Sequence, residues 1–214
     1  MAITFDASTS GTGGTGSPRT WSHTCTGSDR ILLVSIFSQG TVSAVTYNGV
    51  SMTSLGSYNY TSPTGNGTLW YLIAPATGSN TVSITHSGSY TIGVASSYTG
   101  VKQTGQPDAA INTQTTGGST GTALTSTVTV VASGSWLVTG TVTEGAALTA
   151  GTGAYLRQAG SNVAVALFDS NGAPGTGSQS MTINESPTNR FAIGMVSIAP
   201  AVSATSNSNF FAFM

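Results

Sequence analysis

The side chains able to do chemistry are few and scattered. The histidines are His23 and His86, the single cysteine is Cys25, and the carboxylates are Asp6, Asp29, Asp108, Asp169, Glu144 and Glu185. A metal centre needs two or three His, Cys or carboxylate ligands at close spacing, and no such grouping occurs, so no metal and no cofactor is expected. Each histidine lies between Ser or Thr neighbours and reads as a hydrogen-bonded strand residue. No Gly-X-Ser-X-Gly elbow lies between a strand and a helix, which removes the usual signal for an activated serine. A glycosidase needs paired carboxylates, yet Asp29 precedes Arg30 in a turn and Asp169-Ser-Asn-Gly172 is itself a turn sequence. Asp169 and Asn171 alone do not make a calcium loop. Cys25 reads as a small core residue and leaves no internal disulfide. The chain is expected not to be an enzyme.

Composition points the same way. Only 5% of the 214 residues are charged, against roughly a quarter in an ordinary globular domain, and glycine occurs 28 times. The polar vocabulary is Ser, Thr, Asn and Gln, alternating with aliphatic and aromatic residues in short runs. The formal net charge is −1 with no basic block, so nucleic acid is not an expected partner. A hydrophobic share of 38% is enough to fill a core. The opening residues lack a cationic region followed by an apolar stretch, and no apolar run is long enough for a membrane span. The reading is a chain made and folded in a host cytoplasm, with no membrane expected as a partner.

The elements that must position these residues read as strands. Ile3 and Phe5 alternate in a first strand, and residues 10–17, rich in Gly, Thr and Ser, read as a flexible tether. Runs at 19–26, 30–38 and 41–47 follow. The last meets Asn48-Gly49, the strongest two-residue hairpin signal. The run 31–37 is apolar almost throughout, which marks a central strand covered on both faces. Further strands are expected at 50–58, 68–74, 81–85, 90–98, 122–131, 136–143, 162–168, 179–184 and 190–199. Residues 102–121 read as a long surface excursion. With no helical period anywhere, the expected fold is all-β, an antiparallel, jelly-roll-like β-sandwich. Its expected parts are an N-terminal strand and tether at 1–18, a sandwich at 19–200 and an arm at 201–214.

Two places stand out as contact sites. Beyond an uncharged spacer at 203–209 comes Phe210-Phe-Ala-Phe-Met214, whose rings are costly to leave in water. Phe210, Phe211, Phe213 and Met214, together with Ile3 and Phe5, are therefore expected subunit contacts. Tyr58 and Tyr60, beside Asn59 at the edge of a Ser/Thr/Gly loop, are the expected exposed stacking pair for a glycan.

Several phrases resemble a β-rich module of tailed-bacteriophage virion proteins: Thr20-Trp-Ser-His-Thr24 with Arg30-Ile-Leu-Leu-Val34, Val45-Thr-Tyr-Asn-Gly-Val50, Leu69-Trp-Tyr-Leu-Ile-Ala-Pro75 and Tyr98-Thr-Gly-Val101, closed by 191–200. The resemblance spans 21–200 and carries no catalytic motif. It implies a structural virion role, such as a capsid decoration protein or a tail or head fibre component; through its terminal segments the chain is expected to form a homo-oligomer and to bind a major capsid or other virion protein. The expected location is the virion; the alternatives are a strand-exchanged extracellular filament and a carbohydrate-binding module. Because an unpaired strand bearing two large apolar side chains is an open edge, deleting residues 1–8 is expected to lower the melting temperature or abolish assembly. A thermal melt and a sizing column check both.

Overall fold

The computed structural model describes residues 1–60, 65–117, 119–145, 147–160 and 164–202. Over these residues the chain is all-β and antiparallel, without helix. The first nine strands are β1 (Thr4–Ser10), β2 (Arg19–Cys25), β3 (Ile31–Ser38), β4 (Val42–Tyr47), β5 (Val50–Ser51), β6 (Thr53–Tyr60), β7 (Gly65–Ile73), β8 (Gly78–His86) and β9 (Thr91–Thr99). Eight more follow: β10 (Ala109–Thr115), β11 (Gly121–Val130), β12 (Trp136–Thr143), β13 (Ala147–Ala150), β14 (Tyr155–Ala159), β15 (Val165–Asp169), β16 (Gly177–Asn189) and β17 (Phe191–Ile198).

The strand orders reveal a duplication. The first half forms β1-β9-β3-β7-β6 and β2-β8-β4-β5; the second forms β10-β17-β12-β15-β14 and β11-β16-β13. Replacing each strand of the first half by its successor in the second reproduces the order, with β13 standing for the β4–β5 hairpin. The registers agree as well: Cys25 pairs with Gly78 where β2 meets β8, and Val130 pairs with Gly177 where β11 meets β16. From those glycines the chain reads Gly78-Ser-Asn-Thr-Val-Ser-Ile-Thr-His86 and Gly177-Ser-Gln-Ser-Met-Thr-Ile-Asn-Glu185. The sandwich expected over 19–200 is thus built from two tandem units.

The units stack through their five-stranded sheets. One core cluster, with Leu32, Val34, Ile36, Tyr47 and Ile84, lies between the two sheets of the first unit. A second, with Val128, Phe168, Met181 and Ile193, does the same for the second unit. The largest joins the units, bringing Leu33, Tyr58, Leu69 and Val94 against Val138, Val142, Leu167 and Val196. The result is four layers, and the two inner sheets are covered on both faces. That is why every residue of β3, β12 (Trp136 partly), β15 and β17 is withdrawn from water. The apolar run at 31–37 announced this for β3.

Tyr58 fixes the register between the inner sheets. Its hydroxyl lies 2.6 Å from Ser35 Oγ, and its ring covers Gly140 and Gly194, which pair directly with one another across β12 and β17. A Cβ on Gly140 would lie 2.3 Å from the Tyr58 hydroxyl, and one on Gly194 would lie 2.5 Å from its ring. Two missing side chains on one sheet therefore make the hole that a tyrosine of the other fills.

Four expectations change. Residues 10–17 are not a free tether: Gly11 N–H donates to Gly93 O, and Gly14 and Thr91 exchange backbone hydrogen bonds, so the edge of β9 stays paired. The glycines there serve close approach, since a Cβ on Gly13 would overlap the Tyr90 hydroxyl. Residues 102–121 contain β10, an edge strand on β17 whose exposed, polar side chains hide its period. The short edge strands β13 and β14 carry as little periodic signal, for the same reason. Finally, Tyr58 and Tyr60 are buried in β6 at 2% and 4% exposure, because their strand faces the second unit; they offer no stacking face to a glycan. The Asn48-Gly49 hairpin forms as expected, with φ of 51° and 75°.

Substituting Gly140 by Ala should destabilise the fold by about 1–3 kcal/mol through overpacking against Tyr58. Urea unfolding checks it. In a double-mutant cycle with Tyr58→Phe, which removes the atom in the way, the two costs should fail to add.

Candidate functional site

The residues able to do chemistry meet in one line inside the first unit. Asp6 follows Phe5 at an irregularity in the β1–β9 pairing. Its Oδ2 accepts from Ser97 Oγ at 2.8 Å and from Thr26 N–H at 2.9 Å. Since the Ser97 proton goes to Asp6, Ser97 Oγ accepts from His23 Nε2 at 3.1 Å. His23 Nδ1 then accepts from Thr9 Oγ1 at 2.8 Å, and Thr9 Oγ1 accepts from Trp21 Nε1 at 3.1 Å. Aspartate, serine and histidine are thus together, but serine stands in the middle. A nucleophilic serine must give its proton to histidine, with the carboxylate behind the imidazole. Here the polarity runs the other way, and Ser97 and His23 are fully buried.

The second unit repeats the carboxylate part without the histidine. Asp108 accepts from Ser197 Oγ at 3.2 Å, from Val131 N–H at 3.0 Å and from Ser135 Oγ at 3.1 Å. In both units one aspartate ties the last inner strand to the turn between two others. Charge-assisted hydrogen bonds of this kind are about twice as strong as neutral ones. Val128 stands where His23 would be and packs in the apolar cluster. These carboxylates are staples.

Three of the four other carboxylates, Asp169, Glu144 and Glu185, are also held. Asp169 is fully buried and bonded to Arg157 Nε at 2.5 Å, while Arg157 Nη2 reaches Asn171 Oδ1 at 2.8 Å. The Arg157 guanidinium lies 4.2 Å from the Phe5 ring, 4.5 Å from Tyr155 and 5.9 Å from Trp136. One arginine of the second unit therefore covers the aromatic side chain of the first strand. Glu144 pairs with Arg190 at 3.0 Å. Buried Glu185 accepts from Thr143 with one oxygen, and burial pushes its pKa above the ordinary carboxylate range. Cys25 is buried, and that burial pushes its thiol up. Among the described residues no group of three or more His, Cys, Asp or Glu is placed to hold a metal ion.

The expected contact residues divide. Ile3 is buried at 3% exposure in the core that joins the units, and Phe5 is half-buried under Arg157. Phe210, Phe211, Phe213 and Met214 lie outside the described residues. Beside Ile3 opens an apolar cleft of about 560 Å³, lined by Gly134, Trp136, Ala173, Pro200 and Val202 among others.

The surfaces that sequence reading missed are the two outer faces. On the first unit Thr20, Ser22 and Thr24 stand opposite Ser83, Thr81 and Ser79. On the second, Thr125, Thr127 and Thr129 stand opposite Thr182, Ser180 and Ser178 at the equivalent places. Thr125 and Thr182 share a hydrogen bond of 2.8 Å, and Thr127 and Ser180 one of 2.7 Å. No charged residue falls in these six pairs. The Thr-X-Thr-X-Thr run at 125–129 was the available signal, but only the pairing shows that both units carry the same ladder.

A family model described as "Domain of unknown function (DUF7467)" matches residues 90–196, half of the chain. The match runs from β9 into β17 and so takes in most of the second unit. No curated protein and no solved structure matches the chain.

Burial lowers the His23 pKa to about 4, against a smaller opposing pull from Asp6. The unfolded chain takes up a proton near pH 6.5 that the folded chain refuses until about pH 4. Stability should therefore fall as the pH drops through that window, by up to about 3 kcal/mol. Glu185 works in the opposite sense, since its raised pKa costs stability as the pH rises through the carboxylate range. Comparing the native chain with His23→Gln at each pH isolates the histidine. The difference between them should shrink from pH 7 to pH 4 in urea titrations.

Proposed function

We propose that this chain, which belongs to the DUF7467 family, is a non-enzymatic structural subunit of a virion, a capsid decoration or cement protein. The observation that carries the reading is the pair of equivalent hydroxyl ladders on the two outer sheets of a four-layer stack. A subunit that strengthens a shell has to touch more than one neighbour, and two like faces on opposite sides suit that work. The near absence of charge removes long-range repulsion between copies packed side by side. The Asp–Ser–His line is spent on holding strands together, so the groups best suited to chemistry have structural partners. The resemblance of strand texture to phage virion modules supports the same reading. A filament built by strand exchange is less well supported, because β1 already pairs with β9 of its own chain from Thr4 to Ser10.

Quantitative mass spectrometry of purified virions of the encoding phage should find the chain at high copy, in a fixed ratio to the major capsid protein. Particles lacking it should release their DNA at a lower temperature. Its absence from purified particles, or its presence only in traces, would overturn the proposal.

A further inference from the structure

The cleft beside Ile3 is an apolar hollow where the two units and the outgoing chain meet. Ile3 and Trp136 line it together with Gly134 and Ala173, and Pro200 and Val202 bring the end of the described chain to it. Pro200 and Ala201 are pinned there. Pro200 bridges Val101, Ala201 N–H donates to Gly100 O at 2.8 Å, and the Met1 ammonium donates to Ala201 O at 2.7 Å. Val202, 82% exposed, is where the described chain stops, and the sequence continues through the uncharged stretch 203–209 to Phe210-Phe-Ala-Phe-Met214.

We propose that this cleft receives residues 210–214 of a second copy of the chain. Chemistry, size and reach support it. The cleft is apolar and the segment offers three aromatic rings and a methionine. Its volume of about 560 Å³ suits an occupant of a few side chains. Fully extended, the stretch 203–209 reaches roughly 24 Å. A return into the cleft at its own exit point needs only a short turn, of about 2–5 residues. A reach of that length exceeds what a turn back needs and lets the segment cross to a neighbour. With a formal net charge of −1, copies meet without much repulsion. The proposal rests on the assembly reading above but names the contact through which copies join.

Two full-length variants test it, each first shown to be folded by circular dichroism and a thermal melt. Ala173→Trp fills the cleft from an exposed position on its rim and leaves the aromatic segment intact. The triple variant Phe210→Ser, Phe211→Ser, Phe213→Ser keeps the cleft open and loses the rings. In analytical ultracentrifugation the native chain should form larger species as concentration rises, while each variant alone should stay monomeric. A one-to-one mixture of the two variants should recover a dimer, because one supplies the cleft and the other the segment. A native chain that remains monomeric at every concentration overturns the proposal, as does a mixture that forms no dimer. Faster amide exchange at 132–136 in the serine variant of a strictly monomeric protein would place the segment in its own cleft, and also overturns it. Loss of self-association in a chain abundant in virions sinks only the cleft; self-association in a chain missing from virions sinks only the virion reading.

Discussion

Everything in this molecule depends on how the two inner sheets pack, and that packing is keyed by Tyr58 over the paired glycines Gly140 and Gly194. A sheet buried on both faces has no solvent side on which to tolerate error, so its register against the next layer must be set by shape. The tyrosine brings a polar end into a dry interior, and Ser35 satisfies it at 2.6 Å. In the first unit the pair equivalent to Gly140 and Gly194 is Ser35 and Val94, which face the hole instead of forming it. The two units share a strand order but have diverged at the surface that joins them, one supplying the knob and the other the socket.

The same economy of polar groups holds the loops. Without an internal disulfide and with little charge, the chain uses its few carboxylates as multi-point acceptors. Asp6 and Asp108 each tie a serine of the last inner strand to backbone N–H groups of a turn. Asp169 holds Arg157, which in turn lies on Phe5 and Trp136 and connects the units at their edge. That the aspartate staple appears twice, once beside a histidine and once beside a valine, argues that the histidine is an addition to a structural device. His23 is accommodated by hydrogen bonds on both ring nitrogens, and its burial keeps it neutral in the core.

Spending charge inside leaves the outer faces to hydroxyls. Ser and Thr pairs across β2–β8 and β11–β16 can hydrogen-bond one another and still meet a neighbour without a desolvated charge, whose burial costs several kcal/mol when unpaired. The apolar cleft at Ile3 and Trp136 is of a different kind, concave and small, and it lies where the described chain ends.

The sequence by itself determined the class of fold and much of its strand list. Alternation of small polar and apolar residues, turns at Gly and Asn, and the Asn48-Gly49 hairpin are local signals, and local backbone preferences enforce them. The run at 31–37 went further and placed β3 in the middle of the stack. What only the tertiary structure decided is everything that depends on a second surface. The duplication is nearly silent in the sequence outside Gly78–His86 and the corresponding stretch of β16, because equivalent strands need to keep only size and face. Tyr58 and Tyr60 read as an exposed pair because a loop follows them; they are buried because another unit lies across their strand. Gly11, Gly13 and Gly14 look like part of a flexible linker, yet they are small because Trp21, Tyr90 and Arg19 lie against them in turn. Edge strands such as β10 and β14 vanish from the pattern since half their groups face water. Local chemistry writes strands and turns; which side chains meet across layers is a property of the stacked sheets, and no stretch of chain carries it alone.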